Sequence, residues 1–373
     1  MAARLNPFRP SFGITPPVVA GRDITTSLFG DALDAGPGAP GRATIYTGAR
    51  GVGKTVMLNE AEAGARSRGW VVISETAATG LINRLVEDQF PSVSELLDIS
   101  PSKSHLTGVT LPMGMGGATR SVAPPKAPKS VRQWINRITD HLDQRGTGLL
   151  ITVDEVHGGD RGDLRELGVA VQHAFREERP LAFAAAGLPS AVNDLLSDDV
   201  LTFLRRAERI HLGTVSFPDT ADALAIPILN AGRHIDRALL HRSAKATGGY
   251  PFLIQLIGYH LWNSTTADEF TEDNVTVAIE AARARIGAQV YESALRDISV
   301  TDRELLFAMI EDEGRPSKMA DIASRMNRSA NFVSQYRIRL LGTDLIREHG
   351  HGYVTFAMPY FLEYLKENES RWR

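Results

Sequence analysis

Residues 48–55 read GARGVGKT and set glycine, lysine and threonine in the spacing G-x-x-x-x-G-K-[ST]. Glycines at 48, 51 and 53 let the backbone turn so that N–H groups from Gly48, Ala49, Arg50, Gly51, Val52, Gly53, Lys54, Thr55 and Val56 converge on one anion. The run follows the strand-like TIY and opens a helical pattern, so a helix N-terminus adds its positive end to the same place. A lysine beside that cradle suits β- and γ-phosphate oxygens, and a threonine hydroxyl suits a magnesium ligand. An ordinary glycine-rich turn with a surface lysine is the bland alternative, and the strand before and helix after argue against it. About a hundred residues on, GLLITVDEVHGG (148–159) delivers Asp154 and Glu155 at the end of an apolar strand. There Asp154 would hold the shell of a Mg²⁺ ion, and Glu155 would orient and polarise a water for attack on a γ-phosphate. His157 reads as local packing or a hydrogen bond, not as a base.

These residues need a scaffold. ATIYTG, WVVISET, GLLITVDEVH and LAFAAAG are strand-like, and helical patterns over 54–68 and 163–178 alternate with them. That alternation predicts an α/β fold built on a parallel sheet. Residues 1–38 form an N-terminal segment and 39–216 the α/β core. Within the core, residues 91–130 lose the pattern, are rich in Gly, Pro and Ser, and read as a hairpin or mobile insertion. Residues 217–298 read as helix throughout, and 299–373 as a new unit. There Thr301-Asp302-Arg303-Glu304 fits a capping box. Helical patterns over 301–314, 317–327 and 328–341 follow, then a hairpin over 345–356.

Composition excludes several functions. The 373 residues are 43% hydrophobic and 23% charged, with no cysteine, which removes disulfides, thiolate metal sites and a thiol nucleophile. No apolar run reaches the ~18 residues of a membrane helix, and no secretory leader is visible at the N-terminus. A cytoplasmic protein without membrane contact is therefore expected. The net charge of −3 gives no global attraction to nucleic acid. Residues 315–347 nonetheless carry seven Lys/Arg against two Asp/Glu, although 296–373 as a whole is balanced at twelve of each.

The pairing of GARGVGKT with ITVDEVHG resembles the AAA+ superfamily, in the branch of Orc1/Cdc6-like initiators, archaeal-type ATPases and STAND switch ATPases. That resemblance implies a P-loop NTPase sheet of AAA+ type, an all-α lid over 217–298 and a C-terminal winged helix. It implies ATP with Mg²⁺ as cofactors, slow ATP hydrolysis and a possible homo-oligomer. The upstream PPVVAGRD resembles the adenine-lining segment of this branch, which would place Pro17, Val18, Val19 and Arg22 about the base. Ser190 stands where relatives carry a polar sensor, with a helix cap as the equal alternative. Arg205 or Arg206 stands where relatives carry a trans-acting arginine finger, with an exposed helical charge cluster as the alternative. In a winged helix the third helix would enter the major groove of double-stranded DNA, with Arg328, Asn331, Gln335 and Arg339 outward and Val333, Tyr336 and Leu340 buried. Arg337 lies near the buried stripe.

In TGGYPFLIQL (247–256), Gly248 reads as the left-handed residue closing one helix and Pro251 as the first residue of the next. Initiators of this branch usually carry an arginine where this chain has Pro251. The motif resembles instead the G-x-P lid of STAND and archaeal-type ATPases. That implies Gly249, Tyr250 and Pro251 covering the adenine side by apolar contact. Three functions stay open: an ATPase acting on DNA, a STAND-like signalling switch that uses the winged helix for protein contacts, and a transcription regulator that senses ATP.

Overall fold

The computed structural model describes residues 4–11, 13–99, 128–198 and 201–372. The greater part of the 91–130 insertion lies outside the described residues. Its first residues depart from expectation, because Phe90–Leu96 is helical and buries Phe90 and Val93.

Five parallel strands form the core: β1 (Ala43–Thr47), β2 (Val71–Thr76), β3 (Leu149–Asp154), β4 (Leu181–Gly187) and β5 (Glu208–His211), in the order β2-β3-β4-β1-β5. All seven residues of β4 are buried, as are the first five of β3. Strands covered on both faces read as unbroken apolar runs, which is why these two were recognisable. β5 was missed. It is a short, mostly exposed edge strand, ERIH, inside a stretch that reads as a charged helix. Arg205 and Arg206 sit before it in a single 3₁₀ turn (Thr202–Arg206), not in a helix.

Helices α1 (Asp23–Asp34), α2 (Lys54–Ser67), α3 (Val131–Asp143), α4 (Arg161–Arg176) and α5 (Pro189–Leu196) belong to this core. α2 turns Met57, Leu58, Ala61 and Ala65 inward, a 3–4 residue spacing that buries one stripe. Four helices follow: α6 (Phe217–Asn230), α7 (Arg237–Thr247), α8 (Pro251–Asn263) and α9 (Glu272–Ile286). Leu224, Ile254, Val275 and Ala278 give them a core of their own. Gly248 closes α7 at φ 56, and Pro251 starts α8, as the sequence predicts.

A π-helical turn (Gly287–Tyr291) carries α9 toward the C-terminal unit. That unit holds α10 (Val300–Ile310), β6 (Ser317–Lys318), α11 (Met319–Arg325), α12 (Ala330–Gly342), β7 (Ile346–Glu348), β8 (Tyr353–Phe356) and α13 (Phe361–Glu367). Its antiparallel sheet runs β6-β8-β7, and Leu305, Ile322, Val333, Leu340 and Val354 are buried. Three helices with a small sheet of this order are compatible with a winged helix. The capping box lies two residues earlier than expected. Ser299, not Thr301, caps α10, because Asp302 returns its carboxylate to the Ser299 N–H and is itself buried.

Candidate nucleotide site

The carboxyl ends of β1 and β3 meet the N-terminus of α2, where open parallel sheets bind their ligands. The loop after β1 is built on left-handed glycines, with Gly51 at φ 74 and Gly53 at φ 98. A side chain at Gly48 would come within 2.4 Å of the Leu212 carbonyl, so only glycine lets the loop leave the sheet so closely. Lys54 is buried and donates to the carbonyls of Gly48 (3.1 Å) and Ala49 (2.9 Å). Burial lowers its pKa, while the Glu155 and Asp154 carboxylates act in the opposite direction.

Thr55 and Asp154, 99 residues apart, are joined. The Thr55 hydroxyl donates to Asp154 Oδ2 at 2.6 Å, and Asp154 Oδ1 accepts from the Glu155 N–H at 2.8 Å. Burial raises the Asp154 pKa, with the Thr55 hydrogen bond opposing it. A hydroxyl and a carboxylate oxygen side by side are hard oxygen donors, which fit magnesium, with few protein ligands and substrate phosphates completing the shell. Glu155 adopts φ 55, a left-handed conformation costly for a side chain with a Cβ and frequent at functional sites. His157 Nδ1 lies 3.0 Å from Glu155 Oε2, and the nearby imidazole is the main reason the Glu155 carboxyl titrates below its usual range.

A cavity of about 270 Å³ opens beside this loop. Arg50, Gly51, Val52, Gly53, Lys54, Thr55, Val56 and Glu155 line one end, and Val18, Val19, Arg22, Val215 and Pro251 line another. The Arg22 guanidinium donates to the Gly213 carbonyl at 2.5 Å, and burial depresses its pKa. Five expected residues need correction. Pro17 is exposed and does not line the cavity; its neighbour Pro16 does. Tyr250 does not face the base side. It is 2% exposed, and its hydroxyl donates to the Arg50 carbonyl. Gly249 also lies outside the cavity lining, its carbonyl accepting from Val215 N–H at 2.7 Å. Gly48 and Ala49 shape the loop and receive Lys54 but lie outside the cavity lining.

The N-terminal segment reaches further than the sequence suggested. Phe8 is 2% exposed and packs against Gly258 of α8, where an added Cβ would meet its ring at 2.3 Å. Asn6 and Arg4 bond the lid at the Tyr259 and Gly232 carbonyls, while Asn59 of α2 donates to the Gly13 carbonyl at 2.9 Å. Arg9 and Ile14 consequently line the cavity. The Phe-Gly contact, 250 residues apart in sequence, has no local signature.

The remaining candidates are spread out. Ser190 is the second residue of α5, whose N-cap is Leu188, so it caps nothing; it packs against Gly342 of α12. Arg205 is exposed and donates to the Leu196 carbonyl at 2.8 Å, and Arg206 is exposed. On α12, Asn331 and Gln335 are exposed, while Val333 and Leu340 are buried and Tyr336 half-buried. Arg339 is exposed as expected and also pairs with the buried Asp302 at 2.9 Å. Arg328 stacks over Phe332 at 5.3 Å, and Arg337 pairs with Glu348 at 2.6 Å.

The family model for mitochondrial ribosomal death-associated protein 3 matches residues 21–92, and a domain of unknown function (DUF8462) matches 288–365. No protein of curated function matches this sequence. Among solved structures, the Walker-type ATPase of Pyrococcus abyssi is similar at 15% identity and TM-score 0.68, over 93% of this chain and 96% of that one. The Aeropyrum pernix ORC2 protein, solved in ADPNP-ADP complexes, is similar at 13% identity and TM-score 0.63, over 96% of each chain. At these identities the likeness establishes the fold alone: the parallel-sheet fold of that Walker-type ATPase and of ORC2, along nearly the whole chain. Among the described residues, no helix is long and apolar enough to cross a membrane.

Proposed function

We propose that this chain binds ATP and ADP and hydrolyses ATP slowly, coupling the bound nucleotide to contacts made by its C-terminal unit, with duplex DNA as the partner. The observation that carries the proposal is the union of Thr55 with Asp154 beside a phosphate cradle holding a buried lysine. In this reading Thr55 and Asp154 hold magnesium, which neutralises charge on the β- and γ-phosphate oxygens. Lys54 exchanges its two carbonyl partners for phosphate oxygens. Glu155, ionised and oriented by His157, accepts a hydrogen bond from the attacking water and aims it at the γ-phosphorus. Pro251, Val18 and Val19 pack on the base, and Arg22 braces that wall through Gly213. The chain divides by function at 1–38, 39–216, 217–298 and 299–373. Arg205 and Arg206, exposed before β5, would serve a neighbouring subunit's nucleotide in a homo-oligomer.

The test is steady-state ATP turnover with and without duplex DNA at two salt concentrations, beside Glu155→Gln. Turnover of the wild type no higher than that of Glu155→Gln would refute hydrolysis. DNA affinity that is absent, or unchanged by Arg328→Ala with Asn331→Ala, would refute the DNA partner. A second reading, a nucleotide switch whose winged helix contacts protein, draws on one observation. Of the seven basic residues between 315 and 347, Arg325, Arg337 and Arg339 are already held in ion pairs with carboxylates.

A further inference from the structure

One stretch of the cavity wall comes from the chain that leaves α9. Gln289 and Val290 belong to the π-helical turn Gly287–Tyr291, and Ser293 to the helical turn Glu292–Arg296 that follows; all three line the cavity. A π turn inside a helix is rare and is found frequently at functional sites. Ile286 and Val290 are buried, and between them Gln289 brings an amide into half-buried surroundings. Its Oε1 atom is buried and accepts no hydrogen bond. The other glutamine of this wall is already engaged, because Gln255 Oε1 accepts from the Arg9 N–H at 3.1 Å. A buried amide oxygen without a donor is unfavourable, so Gln289 suits its place only when a donor comes to it.

The position of Gln289 along its helix says which part of a nucleotide it meets. Asp297, eight residues on, pairs with Arg50 of the phosphate cradle at 2.5 Å. Eight residues of helix span about 12 Å, the scale on which a base stands away from its β-phosphate. Gln289 is thus at base distance from the cradle, in the same cavity as Val19 and Pro251. The last torsion of a glutamine is soft, so the amide can turn toward a planar partner without moving the backbone. Adenine carries a 6-amino donor next to a ring-nitrogen acceptor, and an amide carries an oxygen next to an NH₂ group, so the two match by a pair of hydrogen bonds. Guanine has two acceptors on its N7 edge and leaves an amide oxygen there unpaired. We propose that Gln289 selects the base: its oxygen accepts from the 6-amino group of adenine while its amide nitrogen donates to the neighbouring ring nitrogen. Apolar packing by Val18, Val19 and Pro251 holds any purine and does not make this choice. The assignment rests on the nucleotide-binding reading above and adds to it the residue that tells one purine from another.

The test uses the full chain and three magnesium diphosphates: ADP, GDP and the diphosphate of purine riboside, in which hydrogen replaces the 6-amino group of adenosine. Their calorimetric dissociation constants are compared in wild type, Gln289→Met and Gln289→Ala. Wild type should bind ADP about 5–150 times more tightly than either of the other two, the range that one amide–adenine pair supplies. Each variant should weaken ADP by that factor and leave the purine riboside diphosphate within about twofold of wild type, because that ligand has no amino group to lose. Equal weakening of both ligands would make Gln289 a packing residue and overturn the inference. So would a variant that keeps the wild-type preference for ADP. A wild type that binds ADP and the purine riboside diphosphate alike overturns it without recourse to any variant. A wild-type chain that binds none of the three overturns instead the reading beneath it.

Discussion

Tyr250→Phe removes one oxygen from a buried place and tests whether the lid holds the phosphate cradle. The ring is retained, so the packing of α8 and the α7–α8 turn should persist. What is lost is the hydrogen bond to the Arg50 carbonyl, together with contact to Met358 Sδ. Tyr250 is 2% exposed, so water does not readily replace the missing donor. A buried acceptor left without its partner costs about 1–3 kcal/mol. Nothing else in the substitution offsets that cost. If the contact restrains the cradle, local opening should become easier by the same amount. The amides of Gly51, Val52 and Gly53 would then exchange with deuterium about 5–150 times faster. Amides of β3 and β4, which do not touch Tyr250, should keep their wild-type rates and serve as the internal reference. Cradle amides that exchange within about twofold of wild type, a difference under ~0.5 kcal/mol, would refute the restraint.

Glu155→Gln should lower ATP turnover by about 10²–10⁴-fold while leaving ADP affinity near wild type, measured by single-turnover kinetics and calorimetry. Thr55→Ala should abolish the extra thermal stabilisation that Mg-ADP gives over ADP alone; retention of that increment would remove Thr55 from the metal's shell. Gly249→Ala combines φ 73 with a Cβ 2.3 Å from the Val215 carbonyl and should destabilise the lid by more than about 1 kcal/mol, read by chemical denaturation. Arg325 holds the Asp312 carboxyl below its usual 3.8, so this pair stabilises the fold above that pH and loses its contribution as pH falls through the depressed value. The stability difference between wild type and Arg325→Met should therefore be constant from neutrality to about pH 4 and shrink below it. A difference that grew with acid would reverse the assignment.

The cradle and its two carboxylates were legible because their residue types and spacing are demanded locally, by left-handed glycines and by a strand buried on both faces. Gly248 and Pro251 were legible for the same reason: each sits where its own backbone preference ends or begins a helix. What escaped was set by distant partners. Ser299 and Thr301 both offer a capping box, and the choice falls to Ser299 because Asp302 is buried beneath Arg339. Pro16 and Pro17 differ by one residue, and only the course of the N-terminal segment over α2 decides which enters the cavity. β5 has no alternation to display, being short and at the sheet edge. Asn331, Gln335 and Arg339 are all exposed as the helical spacing predicts, yet that spacing could not reveal the ion pair Arg339 makes with the buried Asp302 of α10.

The N-terminal segment is fastened twice, to α8 through Phe8 and to α2 through Gly13. The helices over 217–286 and the core are thus joined by one covalent route, the chain from β5 into α6, and by this second, non-covalent strap. Two bodies linked at one point can swing freely, whereas two links confine them to rotation about the line between the anchors. Such a strap keeps the walls of the cavity at high effective concentration, and how far they can part is limited by the contact of Phe8 with Gly258.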